Sequence, residues 1–136
     1  MRHALVVDDS NVIRIIIRRI LEGLNLEVTE ASDVREALAV CSRSMPDAIF
    51  VDSSMPTPDG REFLRKLRRM HGGDAPKAVM CLNENDVAQI ARAMHAGASD
   101  FMMKPFDAGH VRAKFAFVDS RQSSATSTSP SPATRR

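Results

Sequence analysis

Short apolar segments recur along the chain, and each is followed by a stretch with helical spacing of its apolar positions. Runs of four to six apolar or alternating residues are typical of strands, whereas apolar residues at i, i+3, i+4 and i+7 indicate amphipathic helices. Strands are predicted at residues 4–7, 26–30, 47–51, 77–82 and 99–103. Helices are predicted at about residues 11–21, 33–43, 61–70, 86–95 and 107–118. Five repeated strand–helix units predict an α/β fold with a parallel sheet and right-handed crossovers.

Local signals at the helix ends support this assignment. Ser10 or Asn11 can cap the first helix, because a side-chain oxygen at that position accepts a bond from the first turn. Asp33 and Glu36 resemble a capping box before the second helix. Gly23 follows the first helix, as expected where the chain must leave helical geometry.

The composition limits the number of domains and the class of protein, but it does not indicate a function. The 136 residues with 43% apolar content suit one domain. From residue 119 the chain is rich in Ser, Thr, Pro and Ala, which predicts one folded domain over 1–118 and a disordered tail over 119–136. A net charge of +2 gives no argument for DNA binding. No apolar run reaches the roughly 18 residues of a membrane span, and the start does not resemble a signal peptide. We therefore expect a cytoplasmic protein without membrane insertion.

Acidic residues and one lysine follow three of the predicted strands. Asp8 and Asp9 follow the first strand, Asp52 the third and Lys104 the fifth. Because a parallel sheet gathers the carboxyl ends of its strands at one edge, we expect these side chains to meet there. Three carboxylates at about 4 Å would repel by roughly 4 kcal/mol per pair at an effective dielectric near 20, so a divalent cation is expected. Oxygen ligands and phosphate suit Mg²⁺. The sequence thus predicts a Mg²⁺-assisted phosphoryl site.

Four motifs, in order and at matching spacings, resemble those of receiver domains of two-component signalling. More narrowly, they resemble a single-domain CheY-like response regulator. The motifs are Leu5-Val6-Val7-Asp8-Asp9-Ser10, Ile49-Phe50-Val51-Asp52 with Met55-Pro56 and Asp59-Gly60, Ala96-Gly97-Ala98-Ser99-Asp100-Phe101, and Lys104-Pro105-Phe106. The resemblance covers roughly residues 3–118. It implies a flavodoxin-like, doubly wound five-stranded parallel sheet in the order 2-1-3-4-5, with five helices.

The resemblance also implies a role for each site residue. Asp52 would be the phosphoacceptor, attacking a phosphohistidine on a histidine kinase or phosphotransfer protein. Asp8, Asp9, Asp52 and the backbone carbonyl of Ser54 would hold Mg²⁺, and Lys104 would pair with the phosphoryl group. Such a protein is not an enzyme on other molecules, since it catalyses only its own phosphorylation and dephosphorylation.

One position departs from the family pattern. Receiver domains usually have Thr or Ser after the fourth strand, and its hydroxyl contacts the phosphoryl group. Counting back from the lysine motif puts Leu82 there, with Asn83 next, whereas counting forward from the preceding proline puts Cys81 there. Leu82 cannot donate a hydrogen bond, Cys81 is a weak donor, and Asn83 offers an amide. Phe101 stands where the family has its aromatic switch residue. Leu82, Asn83 and Phe101 are therefore the predicted switch positions.

Two further positions match family sites that tune the loss of phosphate, namely Ser54 and Glu84. Output is expected by docking to a downstream protein through the face made by the fourth helix, fifth strand and fifth helix. The residues predicted for that face are Ile90, Met94, Phe101 and Lys114. The sequence context around the switch and lysine motifs resembles the chemotaxis branch. The expected target is therefore a flagellar motor switch, or there is none and the protein is a phosphate sink.

Three alternatives were weighed against this interpretation. Some CheY-like effectors bind cyclic di-GMP through an arginine-rich extension, but the extension here offers only Arg121, Arg135 and Arg136. A Mg²⁺-dependent phosphohydrolase would carry a second Asp two residues after its nucleophile, where this chain has Ser54. An atypical receiver could work without phosphorylation, since Leu82 interrupts the usual switch.

Overall fold

Five parallel strands form the centre of the protein in the computed structural model, which describes residues 2–56, 59–83 and 87–124. The strands are β1 (Arg2–Val7), β2 (Leu26–Ala31), β3 (Ala48–Asp52), β4 (Lys77–Leu82) and β5 (Asp100–Met103). The helices are α1 (Asn11–Glu22), α2 (Val34–Arg43), α3 (Gly60–Arg69), α4 (Val87–Ala96) and α5 (Ala108–Ser124). The sheet order is β2-β1-β3-β4-β5, which confirms the predicted doubly wound, flavodoxin-like fold.

The strand register aligns the ends of neighbouring strands. Val7 of β1 pairs with Val51 of β3, and Asp52 pairs with Cys81 of β4. Leu82 pairs with Met103 at the end of β5. The residues that follow these strands therefore emerge side by side along the carboxyl edge of the sheet.

Helices cover both faces of the sheet and create two apolar layers. One layer packs α2, α3 and α4 against the sheet and contains the fully buried Phe63, Leu64 and Leu67. The other layer packs α1 and α5 against the opposite face and contains Ile17 and Phe115. Burying one such side chain contributes about 1.5–3 kcal/mol, so the two layers hold the strand ends in place.

The helix starts follow the capping signals in the sequence. Ser10, rather than Asn11, is the N-cap of α1, and its hydroxyl oxygen accepts a bond from the Ile13 amide at 3.2 Å. Asp33 accepts a bond from the Glu36 amide at 2.8 Å, as predicted for the start of α2. Capped starts fix the direction in which each helix leaves the carboxyl edge.

The last helix is longer than the sequence predicted. α5 continues to Ser124, so the predicted boundary at residue 118 falls inside a helix. The prediction considered apolar burial, but an established helix gains one backbone hydrogen bond for each added residue, and no proline occurs between Pro105 and Pro130. Residues 125–136 lie outside the described residues, as does Glu84, and the disordered tail stays a prediction. Within the described residues, no helix has the length and apolar character needed to cross a membrane.

Candidate functional site

The predicted acidic residues and lysine meet at the carboxyl edge of the sheet. One carboxylate oxygen from each of Asp8, Asp9 and Asp52 lies within 4.8 Å of the other two. Asp8 and Asp52 are only 1% and 2% exposed, whereas Asp9 is exposed. The Nζ atom of Lys104 lies 3.0 Å from Oδ1 of Asp52. The strand ends therefore assemble three carboxylates and one ammonium group.

Asp8 is held by its backbone and by one side of its carboxylate. Its amide donates to the carbonyl of Ala31 at 3.2 Å, and its own carbonyl accepts a bond from Arg14. Oδ1 of Asp8 accepts a bond from the Ser10 amide at 2.9 Å. Oδ2 is buried and has no hydrogen-bond donor among the described residues. Burial, reinforced by the charge of Asp52, raises the pKa of Asp8 to about 6. The hydrogen bond from the Ser10 amide acts in the opposite direction and lowers this pKa, but by less.

The unpaired Asp8 oxygen shows that the cluster fits a cation. A buried carboxylate oxygen without a donor is costly unless a charge or hydrogen bond compensates it. Among the described residues, Oδ1 of Asp52 likewise has only the Lys104 ammonium opposite it. The donor set consists of carboxylate oxygens, and exposed Asp9 leaves one side open to water. These properties match Mg²⁺, which binds one or two carboxylates and keeps several waters. The role of the Ser54 carbonyl as a ligand stays a prediction.

Lys104 is fixed close to Asp52 by β5 and the turn that follows. Its amide donates to the carbonyl of Leu82 at 2.8 Å, and the peptide bond to Pro105 is cis. Burial lowers the pKa of Lys104, but the hydrogen bond and charge of Asp52 more than offset this and raise it above its usual range. The lysine is therefore a positive charge at neutral pH.

The Ser54 hydroxyl is a site group that sequence reasoning missed. It donates a hydrogen bond of 2.9 Å to Oδ2 of Asp52, opposite the oxygen that faces Lys104. The sequence interpretation assigned Ser54 a metal-binding backbone carbonyl and a match to a position that tunes phosphate loss. The only signal for this contact was a hydroxyl residue two positions after the strand-ending aspartate.

The structure resolves which residue stands at the end of β4. Leu82 is the last residue of the strand, 3% exposed, and packs in the layer with α3 and α4. Cys81 faces the opposite layer, where burial raises its pKa to about 12. Asn83 is exposed and, with Ser54, lines a cleft of about 220 Å³ beside Asp52. That Leu82 stands at the position of the usual hydroxyl stays a prediction.

The predicted output residues lie on neighbouring elements. Nζ of Lys114 in α5 pairs with the Asp100 carboxylate at 3.0 Å and lies 5.7 Å from the centre of the Phe101 ring. Ile90 of α4 is half-buried against the core, and Met94 is 42% exposed. Lys114 and Phe101 are therefore in direct contact, whereas Met94 offers an exposed apolar side chain.

A second apolar surface next to the site did not figure among the predictions. A groove of about 480 Å³ runs between α1 and the turn after β5, lined by Ile13, Ile16, Lys104, Pro105 and Phe106. Ile16 is 46% exposed and neighbouring Val12 is 65% exposed. The sequence carried a signal, because α1 has apolar residues on more of its circumference than one buried stripe requires. We call this surface the α1 groove.

Comparison with known sequences places residues 4–116 within the family model of the response regulator receiver domain. The chain is 34% identical over 130 residues to the KDP operon transcriptional regulatory protein KdpE of Escherichia coli (strain K12), covering 96% of this chain and 56% of KdpE. It is 39% identical over 102 residues to the response regulator MprA of Mycolicibacterium vanbaalenii, covering 75% of this chain and 43% of MprA. The chain thus spans about half the length of these relatives.

Solved structures show the same fold. The chemotaxis response regulator CheY4 of Vibrio cholerae aligns with a TM-score of 0.81 at 30% identity, covering 87% of this chain and 98% of CheY4. A CheY-like receiver domain protein from Methanospirillum hungatei JF-1 aligns with a TM-score of 0.79 at 25% identity, covering 92% of this chain and 98% of that structure.

Proposed function

The chain belongs to the response regulator receiver domain family of two-component systems, and from that premise we propose that it accepts a phosphoryl group on Asp52. Receiver domains have histidine kinases or phosphotransfer proteins as partners, and the proposed donor is a phosphohistidine on such a protein. The observation that carries the proposal is the 3.0 Å pair between Lys104 and Asp52 beside two further carboxylates.

The chemistry follows from the positions of these groups. A carboxylate oxygen of Asp52 forms a bond to phosphorus as the bond from phosphorus to the histidine nitrogen breaks, and the imidazole leaves with that electron pair. The Lys104 ammonium faces the charge that develops on the phosphoryl oxygens. Asp8, Asp9 and Asp52 would hold Mg²⁺, which when bound offsets the charge of the carboxylates and phosphoryl oxygens.

Labelling with a small phosphodonor tests the assignment directly. The protein is incubated with Mg²⁺ and acetyl phosphate, and its intact mass is compared with that of Asp52→Asn. We expect the mass of one phosphoryl group on the unchanged protein and none on the variant. Equal labelling of the two proteins would contradict the assignment to Asp52.

The α1 groove is the docking site that we propose for the phosphodonor protein. It is apolar, includes the partly exposed Ile16, and borders Lys104, so a partner bound there stands next to Asp52. Apolar surface of this kind on a protein commonly marks a contact with another protein. We expect Ile16→Glu to lose transfer from a cognate kinase while keeping its labelling by acetyl phosphate.

A matched control for that experiment is Val87→Glu. Val87 is 81% exposed at the start of α4, on a helix that packs against α3 and β5 and not on the α1 groove. It should accept the phosphoryl group from the kinase as well as the unchanged protein does. Equal transfer to Ile16→Glu and Val87→Glu would remove the α1 groove from the proposal.

Output by protein docking is proposed through the face of α4, β5 and α5, around Met94, Phe101 and Lys114. A chemotaxis or motility output, with a flagellar motor switch as the candidate target, remains the proposal drawn from the sequence. The similarity to CheY4 supports it. The relative KdpE is instead a transcriptional regulatory protein by its name, and MprA is named only as a response regulator. Action in the cytoplasm is part of the same proposal. Capture of target proteins by the phosphorylated chain, compared with Asp52→Asn, separates these outputs.

One observation favours an atypical receiver as the second candidate. Leu82, which the sequence matches to the family's hydroxyl position, is buried at the end of β4, and its side chain cannot donate a hydrogen bond to a phosphoryl group. This candidate predicts Mg²⁺ binding without a conformational response to phosphorylation. The cyclic di-GMP alternative has no comparable support, because Arg135 and Arg136 lie outside the described residues.

A further inference from the structure

The hydroxyl that contacts Asp52 belongs to Ser54, which follows β3, whereas the family pattern has a hydroxyl residue after β4. Within the described part of the chain, the one hydroxyl within hydrogen-bond distance of the Asp52 carboxylate is that of Ser54, at 2.9 Å from Oδ2. Leu82 at the end of β4 is apolar and buried. Asn83 is exposed and makes no hydrogen bond to Asp52. The β3 side of the site therefore supplies a contact that the β4 side lacks.

We propose that the Ser54 hydroxyl senses phosphorylation of Asp52 and that the first response occurs in the segment after β3 rather than at the end of β4. This inference rests on the proposed function of Asp52. Before phosphorylation the hydroxyl donates to the carboxylate. Once the phosphoryl group is attached, the same hydroxyl turns about its single side-chain bond and donates to a phosphoryl oxygen, which carries more charge. Ser54 is exposed, so this rotation needs no repacking of the core.

The residues that follow Ser54 are packed tightly against the core and the site, so a change at Ser54 affects them. Met55 is only 5% exposed and packs into the layer beneath α2 and α3. Gly60, the first residue of α3, lies so close to the site that an added methyl carbon would be 2.8 Å from the carbonyl oxygen of Asp52. The proposed response has a second part, in which the new bond also draws the backbone of Ser54 toward the phosphoryl group. Met55 then moves with its neighbour, and the tightly packed start of α3 is displaced in turn.

The opposite side of the site is less well connected. The Phe101 side chain is half-buried and is held by the Lys114 ammonium at 5.7 Å, which is itself paired with Asp100. The side chain of Leu82 has no donor, so it cannot draw the end of β4 toward a phosphoryl group. A bound group shifts a conformational equilibrium only through an interaction that differs between the two states.

The test uses BeF₃⁻ with Mg²⁺, which adds to the acceptor aspartate as a phosphoryl mimic, and follows backbone amide shifts by NMR. In the unchanged protein, we expect larger shifts at Met55 and Gly60 than at Phe101. Ser54→Ala should weaken BeF₃⁻ binding severalfold, because the hydroxyl donates to the carboxylate in the free protein and gains a stronger bond to the more highly charged mimic. It should also remove most of the shift at Met55. Ser54→Thr keeps the hydroxyl and should keep both properties.

Ser53→Ala is the matched control, because Ser53 lines the same cleft but its side chain makes no hydrogen bond to Asp52. It should behave as the unchanged protein. Equal BeF₃⁻ affinity in Ser54→Ala and Ser53→Ala would overturn the inference, and so would equal loss in Ser54→Thr and Ser54→Ala. Leu82→Thr supplies a donor on β4 and should enlarge the shift at Phe101 in the Ser54→Ala background.

Failure of this inference is distinct from failure of the proposed function. If acetyl phosphate does not label the unchanged protein at Asp52, the proposed function is wrong. If labelling occurs and depends on Asp52, but Ser54→Ala retains full BeF₃⁻ affinity and a full shift at Met55, only the sensing role of Ser54 is wrong.

Discussion

The two edges of the sheet differ in how completely their charged groups are paired or hydrogen-bonded. At the amino edge, Asp47 accepts a bond from the His3 amide at 2.8 Å and pairs with Arg2 at 3.6 Å. Arg68 donates there to backbone carbonyls that precede β4 and β5, which are those of Gly73, Pro76 and Gly97. At the carboxyl edge, one oxygen of Asp8 is buried without a donor, and Asp52 adds a second buried carboxylate.

The difference separates groups that stabilise the fold from groups that hold a ligand. Among the residues that the structure describes, Nδ1 of His3 at the amino edge is also buried without a hydrogen-bond partner, but burying an imidazole nitrogen costs less than burying a carboxylate. Buried carboxylates that repel one another lower the free energy of unfolding until a cation or proton compensates them. The carboxylates that can bind a cation at the carboxyl edge therefore lower the stability of the metal-free fold, whereas the charged groups at the amino edge stabilise it.

The largest expected effect is at the amino edge, in Arg68→Met. The variant removes the donor from several backbone carbonyls at once, and each unsatisfied group costs about 1–3 kcal/mol. We expect the free energy of unfolding in urea to fall by about 3 kcal/mol, with Mg²⁺ affinity unchanged. Arg69→Met is the control, because Arg69 is exposed one position further along α3. A similar loss in both variants would show that the charge of α3, not these bonds, is responsible.

A smaller effect of opposite sign is expected at the carboxyl edge, in Asp8→Asn. Removing a buried, unpaired negative charge should raise the free energy of unfolding by about 1–2 kcal/mol in metal-free buffer. The same variant should bind Mg²⁺ much more weakly, as measured by titration calorimetry. Asp9→Asn, at an exposed position, should weaken Mg²⁺ binding without stabilising the fold. A destabilised Asp8→Asn would mean that the two edges do not differ as described.

Lowering the pH should reproduce part of that stabilisation. The pKa of Asp8 is about 6 in the folded protein, against 3.8 for the ordinary group, so the folded state binds the extra proton. This contribution to stability is complete below pH 3.8 and is lost as the pH rises through about 6. Relative to Asp8→Asn, the metal-free protein should gain about 1 kcal/mol between pH 7.5 and pH 5. Parallel urea titrations at the two pH values check this. Identical pH dependence of the two proteins would exclude Asp8 as the cause.

The smallest expected effect is that of deleting residues 125–136. α5 starts at the carboxyl edge and passes the first residue of β4, where Lys77 donates to the carbonyl of Lys114. The segment contains no large apolar side chain, and we expect unchanged stability and unchanged labelling of Asp52. A fall in the melting temperature of several degrees would show that the tail contributes to the stability of the domain.

Much of the fold and of the candidate site followed from the order of residues along the chain. The apolar runs identified five strands, and parallel strands place their carboxyl ends at one edge whatever the details of packing. Asp8, Asp52 and Lys104 were therefore expected together and are found together. The role of each of them in phosphoryl transfer is still a prediction.

Other features depended on side-chain direction, which a linear pattern does not contain. Counting along the chain left Leu82 and Cys81 as alternatives for one position, because a shift of one residue in a strand moves a side chain to the opposite face. In the structure Leu82 is the last residue of β4, and Cys81 faces the layer of α1 and α5. Which of the two takes the place of the hydroxyl stays a prediction. The Ser54 hydroxyl bond and the α1 groove depend on how a loop and a helix approach Asp52 and Lys104. Such approaches are set by packing between residues remote in sequence, so only the tertiary structure could decide them.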